Sequence, residues 1–524
     1  MQPTFKNTLL ASAFAMALGG CKTITALNQV GVFDSGLGEG AAEIVSFDDS
    51  VGKAFVVNAK AGTVDVLVLG KDGSLPDAAA SFTIDVTMAS NTLRLGNANS
   101  VDAQDGILAV AIENDDKQAN GVVAFYRTDN YDLLNTVEVG ALPDMVKFTP
   151  NGRFVVVANE GEPSDDYRID PQGSVSIIYI DRRNRVASPR HYLLDFNAFN
   201  PGGPRHDELP EAVRIFGPGA SVAQDLEPEY IAVAADSKTA WVSFQENNAL
   251  AEIDLRRKRV RRIVALGFKD HRLPGNELDA SNRDGAINIR NWPVLGMYQP
   301  DAIDAYQTGG RTYLVSANEG DARDYQGFSE EVRVADLTLD NVVYPDSSIQ
   351  NDDRLGRLKT TTLLGDANSD GFVEQIYSYG ARSFSIWDSL GNLVYDSGAD
   401  IAKITADALG LDLENETGFN GGDQRSDDKG AEPEAVVVGY VQGRYYAFVG
   451  LERTGGIMVY DITDPEAAEF VLYFDEGPGH VSPEGLEFVP ASKSPTGKAL
   501  LLVAHEISGT TTVYEIETDF DSNL

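Results

Sequence analysis

Cysteine occurs once in these 524 residues, at position 21. No disulfide can form within the chain, so packing must hold it together, with a bound metal the other staple open to it. Five histidines are scattered and form no cysteine–histidine cluster, which excludes a zinc-type site. Bases are scarce too: 42 lysines and arginines against 80 acids give a net charge of −38. Such a surface repels nucleic-acid phosphates and anionic headgroups and attracts divalent cations, so nucleic acid is excluded as a partner. After the N-terminus no segment is long and apolar enough to span a bilayer. Helical periodicity is nearly absent; DIAKITADALGL, residues 400–411, is the best candidate. At 43% hydrophobic residues, however, there is ample material for a core.

The N-terminus carries an address. Lys6 supplies a positive n-region, and Leu9 to Leu18 form a short apolar h-region. Leu18-Gly19-Gly20-Cys21 follows and resembles the lipobox of bacterial lipoproteins, in which the cysteine is lipidated after cleavage. The expectation is a lipoprotein-type signal over 1–20 and a lipidated tether over 21–28. The folded domain would then occupy 29–524, held to a membrane through lipid on Cys21. Lys22 after the cysteine implies, by the same resemblance, the outer membrane or surface of a bacterial envelope.

What is abundant is a repeating strand pattern. Pro143 to Ile178 reads as strand (DMVKF), Pro-Asn-Gly turn, strand (FVVVAN), acidic loop and strand (SVSII). Related units open at Pro228, Pro300, Pro433 and Pro483, with two more near Glu43 and Ser100 and a divergent one over FVEQIYSYGARSFSIWD. Eight cores of three or four short strands recur at roughly 40 to 80 residues, as in propeller repeats. The fold class expected is all-β: one closed β-propeller, of eight blades by repeat count or seven if the divergent core is an insertion. The final unit has three strands, and Val30–Phe33 (VGVF) would complete it, leaving no exposed edge. Long connectors at about 183–226, 257–298, 338–371 and 398–430 should each follow the last strand of a unit and build up one face.

In an antiparallel blade the start of the innermost strand and the end of the second lie at the same edge. Asp144, Glu229, Asp301, Glu434 and Glu484, with Glu43, start first strands. Glu113, Glu160, Glu246, Glu319, Glu452 and Glu506 end second strands. All should face one mouth of the channel. There they would raise each other's pKa and gather cations, or else tie blades together through backbone N–H groups. The densest loops, EGEPSDDY (160–167) and EGDARDY (319–325), share one residue order. Hard oxygen ligands of this kind suit calcium or magnesium.

A second cation motif is Asp366-Ala-Asn368-Ser-Asp370-Gly371-Phe372-Val-Glu374. Its oxygen ligands stand at positions 1, 3, 5 and 9, with a glycine at 6 and the Phe372 carbonyl at 7. Tyr377 at position 12 and the lack of flanking helices exclude an EF-hand. A structural calcium clamp is expected, against an ion-free Asx-rich hairpin.

Several long blocks are specific: ANEGEPSDDY with GSVSII, SVAQDLEPEYIAV with QENNALAEIDL, DGAINIRNWPVLGMYQPDAI, SANEGDARDYQGFSEEVRVADL, and YGARSFSIWD. Together they resemble the choice-of-anchor I family, which includes mesenchyme-specific cell-surface glycoprotein-like proteins, over about residues 24–517. The resemblance implies a secreted or surface-tethered β-propeller and no securely assigned reaction, although some members have been labelled phosphatase-like.

Two functions follow. One is a calcium-stabilised, monomeric surface scaffold that binds a protein or small-molecule ligand at its acidic face. The other is a calcium- or magnesium-dependent phosphoesterase, built from Glu160, Asp165, Asp166, Glu319, Asp321 and Asp324, with Arg323 on the phosphate. A quinone-dependent dehydrogenase propeller would need tryptophan repeats, and there are only three tryptophans.

Overall fold

A computed structural model describes residues 24–76, 82–181, 186–411, 418–421 and 423–519, with side chains left aside at 186–190. The signal segment 1–20 and Cys21 lie outside them. Seven antiparallel sheets of four strands follow one another along the chain. In each, strands A to D run from the channel outward. The first sheet takes Val45–Asp48, Lys53–Asn58, Thr63–Val68 and Phe82–Asp85. The fourth takes Ile231–Val233, Thr239–Phe244, Ala249–Asp254 and Arg259–Ala265.

The strands are short and nearly all apolar because each sheet is buried on both faces. Val155, Val156 and Val157 are consecutive and fully buried, so alternate residues feed opposite cores. Seven apolar clusters lie between successive sheets, beginning with Phe55, Val64 and Val110 between the first and second. In the last of these, Leu500 and Leu502 of the seventh sheet meet Phe47 and Ala54 of the first. This is the arrangement of a β-propeller.

The divergent sixth core makes no sheet of its own. Its strands Ser383–Asp388 and Leu393–Asp396 pair onto Arg311–Asn318 as the third and fourth strands of the fifth sheet. Among the described residues the four-stranded sheets therefore number seven, as expected if the divergent core belongs to an insertion. The repeat count misled because residues 319–382 are inserted between strands B and C of the fifth sheet, separating its halves. The 338–371 connector thus lies inside a blade, not after one as expected. Strand B–C and D–A connections emerge on the same face, so this insertion still joins the other long connectors there. With residues 268–297 it builds a cap around Leu278, Trp292, Val334 and Leu355.

The N-terminal strand does complete the last sheet, beside Thr510–Thr518. It is longer than VGVF: pairing begins with Ile24 against Thr518, so residues 24–28 belong to the strand and not to a tether. Ile24 and Leu27 are buried, which explains the register. Among the described residues the one extended helix is Asp400–Leu409, where the periodicity placed it.

Candidate functional site: an acidic channel mouth

In five of the seven sheets, the third to the seventh, the A strand is led by proline and then an acid, and this dipeptide is a local device. Leu142, Gln299, Glu432 and Ser482 stand immediately before Pro143, Pro300, Pro433 and Pro483 and have left-handed φ values of 45°, 42°, 55° and 66°. The proline ring disfavours the right-handed helical conformation at the preceding residue, and the tight turn there swings the chain into the channel. Register then slips between Pro143 and Met145, between Pro433 and Val436, and between Pro483 and Gly485. A bulge of this sort re-aims a side chain away from the regular pleat. Asp144, Glu434 and Glu484 are the residues it re-aims.

At the other strand end, Gly161 and Gly320 hold matched left-handed turns with φ of 75° and 92°. A Cβ on Gly320 would lie 2.0 Å from the Gly380 nitrogen, where the insertion returns to the sheet. The shared Glu-Gly order of the two acidic loops is thus a backbone requirement of leaving strand B.

These devices bring Asp144, Glu160, Glu229, Glu246, Asp301, Asp321, Glu434 and Glu484 to the wall of one cavity of about 230 Å³, with Glu162 beside them. Asn99 interrupts the ring in the second sheet and donates to the Pro143 carbonyl at 3.2 Å. The remaining expected acids flank the wall. Glu113 lies near Asp144, Glu452 and Glu319 near Glu434, and Glu506 near Glu43 and Glu484.

Burial, reinforced by neighbouring carboxylates, lifts several of the wall acids out of the ordinary range. Asp144 is raised to about 7 and Glu43 to about 8. Glu160, Glu229, Asp301, Glu434 and Glu484 are all raised well above normal for the same two reasons. Burial raises Glu452 to about 8 and Glu319 to about 7, although Lys429 opposes the second shift. Four carboxylate oxygens, the Oε2 atoms of Glu229, Glu246, Glu434 and Glu484, are buried without a hydrogen-bond partner. An unpaired buried carboxylate oxygen is costly, and a cation or a shared proton is what such a site accepts.

Internal cations serve the rim: Arg425 pairs with Glu432 at 2.8 Å and Arg453 with Glu452 at 3.0 Å, and Lys429 stands between two of the acids. Lys429 pairs with Glu319, and its Nζ stands 3.2 Å from Glu432. Gln245 also donates to Glu319 at 3.0 Å. Glu319, Glu432 and Glu452 could together hold a metal ion by proximity, but the ammonium already lies against two of them. Lys429 and Glu432 were missed in the sequence because they follow a long connector and belong to no strand repeat.

The phosphoesterase candidates separate in space. Glu160 and Asp321 line the cavity, and Glu319 sits at its rim. Asp165, Asp166 and Asp324 are exposed on the loops above. Arg323 does not reach toward a phosphate. It is buried and paired with Asp225 and with Glu227 at 2.8 Å, and it also donates to the Asp225 carbonyl at 2.7 Å. Its partners come from a connector without repeat character, so the sequence offered no sign of them.

The 366–374 loop is a separate cation candidate within the inserted segment, tied to it by the Leu339–Val373 bridge. Asp366, Asp370 and Glu374 place a carboxylate oxygen each within 4.8 Å of one another. Glu374 accepts from Ala367 N at 2.9 Å and Asn368 Nδ2 at 2.7 Å, while Asp366 accepts from Gly371 N at 2.9 Å. The backbone alone therefore already satisfies part of the loop.

Residues 43–465 match the Choice-of-anchor I domain. This chain belongs to that family. Among curated relatives, Gigasin-3a of Magallana gigas is 32% identical over 193 residues, covering 32% of this chain and 67% of the relative. The mesenchyme-specific cell surface glycoprotein of Strongylocentrotus purpuratus is 27% identical over 297 residues, covering 49% of this chain and 38% of its own length. Among solved structures, Kuenenia stuttgartiensis hydrazine synthase aligns with a TM-score of 0.47 and 11% identity, over 92% of this chain and 97% of that one. The Neurospora crassa Pan2 WD40 domain aligns at 0.44 and 9%, over 95% and 97%.

Proposed function

We propose that this Choice-of-anchor I chain is a surface-anchored β-propeller scaffold whose acidic mouth binds a cation or a cationic group of a ligand. The observation that carries this is the set of unpartnered, buried carboxylate oxygens on Glu229, Glu246, Glu434 and Glu484 around one cavity. The scaffold is a closed ring of seven blades, supported by the core shared between the seventh and first sheets. Its anchor is lipid on Cys21, and its place is the bacterial envelope; the surface location draws support from the name of the sea-urchin relative. The 366–374 loop takes calcium as a structural clamp, on the strength of its ligand spacing.

The phosphoesterase alternative retains Glu160 and Asp321 at the cavity, but the arginine it would use is held by Asp225 and Glu227. Binding is therefore the better reading. Titration calorimetry with calcium, on an Asp370→Ala background that removes the loop, tests it. Glu229→Gln with Glu434→Gln should weaken the remaining binding about tenfold or more. No binding on that background, or the same affinity in the double variant, overturns the proposal. Metal-dependent turnover of phosphate esters, abolished by Glu160→Gln, would instead favour the enzyme.

A further inference from the structure

The net charge of −38 hides a segregation. Between Leu255 and Ile263 the chain reads RRKRVRR, with six bases in seven residues. They form the C–D turn of the fourth sheet and its outermost strand, Arg259–Ala265. Arg205 joins them from the preceding connector, donating to the Val260 and Arg261 carbonyls at 2.7 and 2.8 Å. Acids answer only some of these charges. Glu252 takes both Arg261 and Arg262, Asp254 takes Arg257, and Glu208 takes Arg205. Asp236 and Asp388 lie at the edges. Arg256 and Arg259 are exposed and hold no ion-pair partner among the described residues.

Beside them runs an open groove of about 610 Å³ walled by Leu193, Phe199, Arg259 and Arg261. Tyr192 and Leu193 are each 51% exposed, and the Lys258 ammonium lies 4.7 Å from the Tyr192 ring centre. Exposed Leu390 stands on the next C–D turn. Bases interleaved with an aromatic ring and leucines suit an anionic lipid surface, where headgroup phosphates meet the bases and the apolar groups enter the interface.

Topology supplies the direction. The acidic mouth lies where A strands begin, whereas C–D turns lie at the opposite end of every sheet. Ile24 pairs with Thr518, the C-strand end at that same opposite face. Ile24, the first described residue, therefore lies on the face of the basic turn.

We propose that this face docks on an anionic phospholipid surface through the Arg256–Arg262 patch and turns the acidic mouth away from the membrane. The orientation rests on the lipid-anchor reading, but the patch is testable without it. The mature chain carrying Cys21→Ser is sedimented with vesicles of phosphatidylcholine alone or mixed with phosphatidylglycerol. Binding is expected only to the mixed vesicles, falling with salt because the Debye length shrinks. Arg256→Glu, Lys258→Glu and Arg259→Glu together should weaken it about tenfold or more with an unchanged melting temperature. Absent binding, binding that ignores lipid charge, or a triple variant that binds as the parent does overturns the proposal. So does binding to a sulfated polysaccharide without binding to vesicles. Palmitate incorporation at Cys21 in cells, scored separately, tells failure of the anchor from failure of the patch.

Discussion

The Tyr325 hydroxyl donates to Glu162 at 3.0 Å, joining two acidic loops that leave different, non-adjacent sheets. The Tyr167 and Tyr325 rings meet edge-on at 5.6 Å, and Gly327 N donates to the Asp165 carbonyl at 2.7 Å. The third and fifth sheets thus share a bridge over one side of the mouth. Tyr325→Phe should cost about 1 kcal/mol, the net worth of such a bond. Urea unfolding measures that loss, and limited proteolysis should show both loops cut faster together. Faster cutting of only one loop would mean that they are not coupled.

Lys429 bridges Glu319 and Glu432, so Lys429→Met strips Glu319 of its ion-pair partner in a buried site while Arg425 and Arg453 still hold Glu432. Removing one partner of a buried pair costs about 3–5 kcal/mol. The loss should be largest at pH 8 and shrink at pH 5, where Glu319, raised to about 7, takes up a proton. Denaturant unfolding at the two pH values checks this; an equal loss at both would place the role of Lys429 elsewhere.

The mouth acids set a direction for pH dependence. Burial raises Glu43 and Glu452 to about 8 and Asp144 to about 7, far above their values in an unfolded chain. Between those limits the folded state binds more protons than the unfolded one, so stability falls as pH rises. Their contribution is fully present near pH 4 and lost through pH 7 to 8. Melting temperature should therefore drop from pH 5.5 to pH 8.5. Calcium should restore more of it at the higher pH, and Glu229→Gln with Glu434→Gln should flatten the slope.

For the 366–374 loop, calcium should raise the melting temperature in the parent, and Asp370→Ala should abolish the part of the rise that belongs to this loop. Differential scanning fluorimetry with and without a chelator reads both. No shift in the parent at any pH would remove calcium from the account.

Much of the architecture was legible in the residues. Pro-acid dipeptides, two-residue alternation and turn glycines are local, and each marks a strand end by backbone chemistry alone. That is why the residue pattern alone puts Asp144, Glu434 and Glu484 at one mouth. Strand pairing across an insertion is not local. Nothing in SFSIWD says that its partner is LVSAN, sixty-odd residues upstream, so repeat counting alone leaves seven and eight blades both open. The salt-bridge partners of Arg323 are hidden for the same reason, and the bulk charge masks the basic turn at 256–262.

The sequence by itself determined the short apolar strands, the proline-led acids and the N-terminal strand that finishes the last sheet. These depend on side-chain periodicity and on φ restriction, which act within a few residues. Only the tertiary structure decided which carboxylates keep an unpaired oxygen, that Lys429 seats itself among the rim glutamates, and that the basic turn shares a face with Ile24. Those are matters of burial and of strand direction around a ring, and both arise only when distant segments pack.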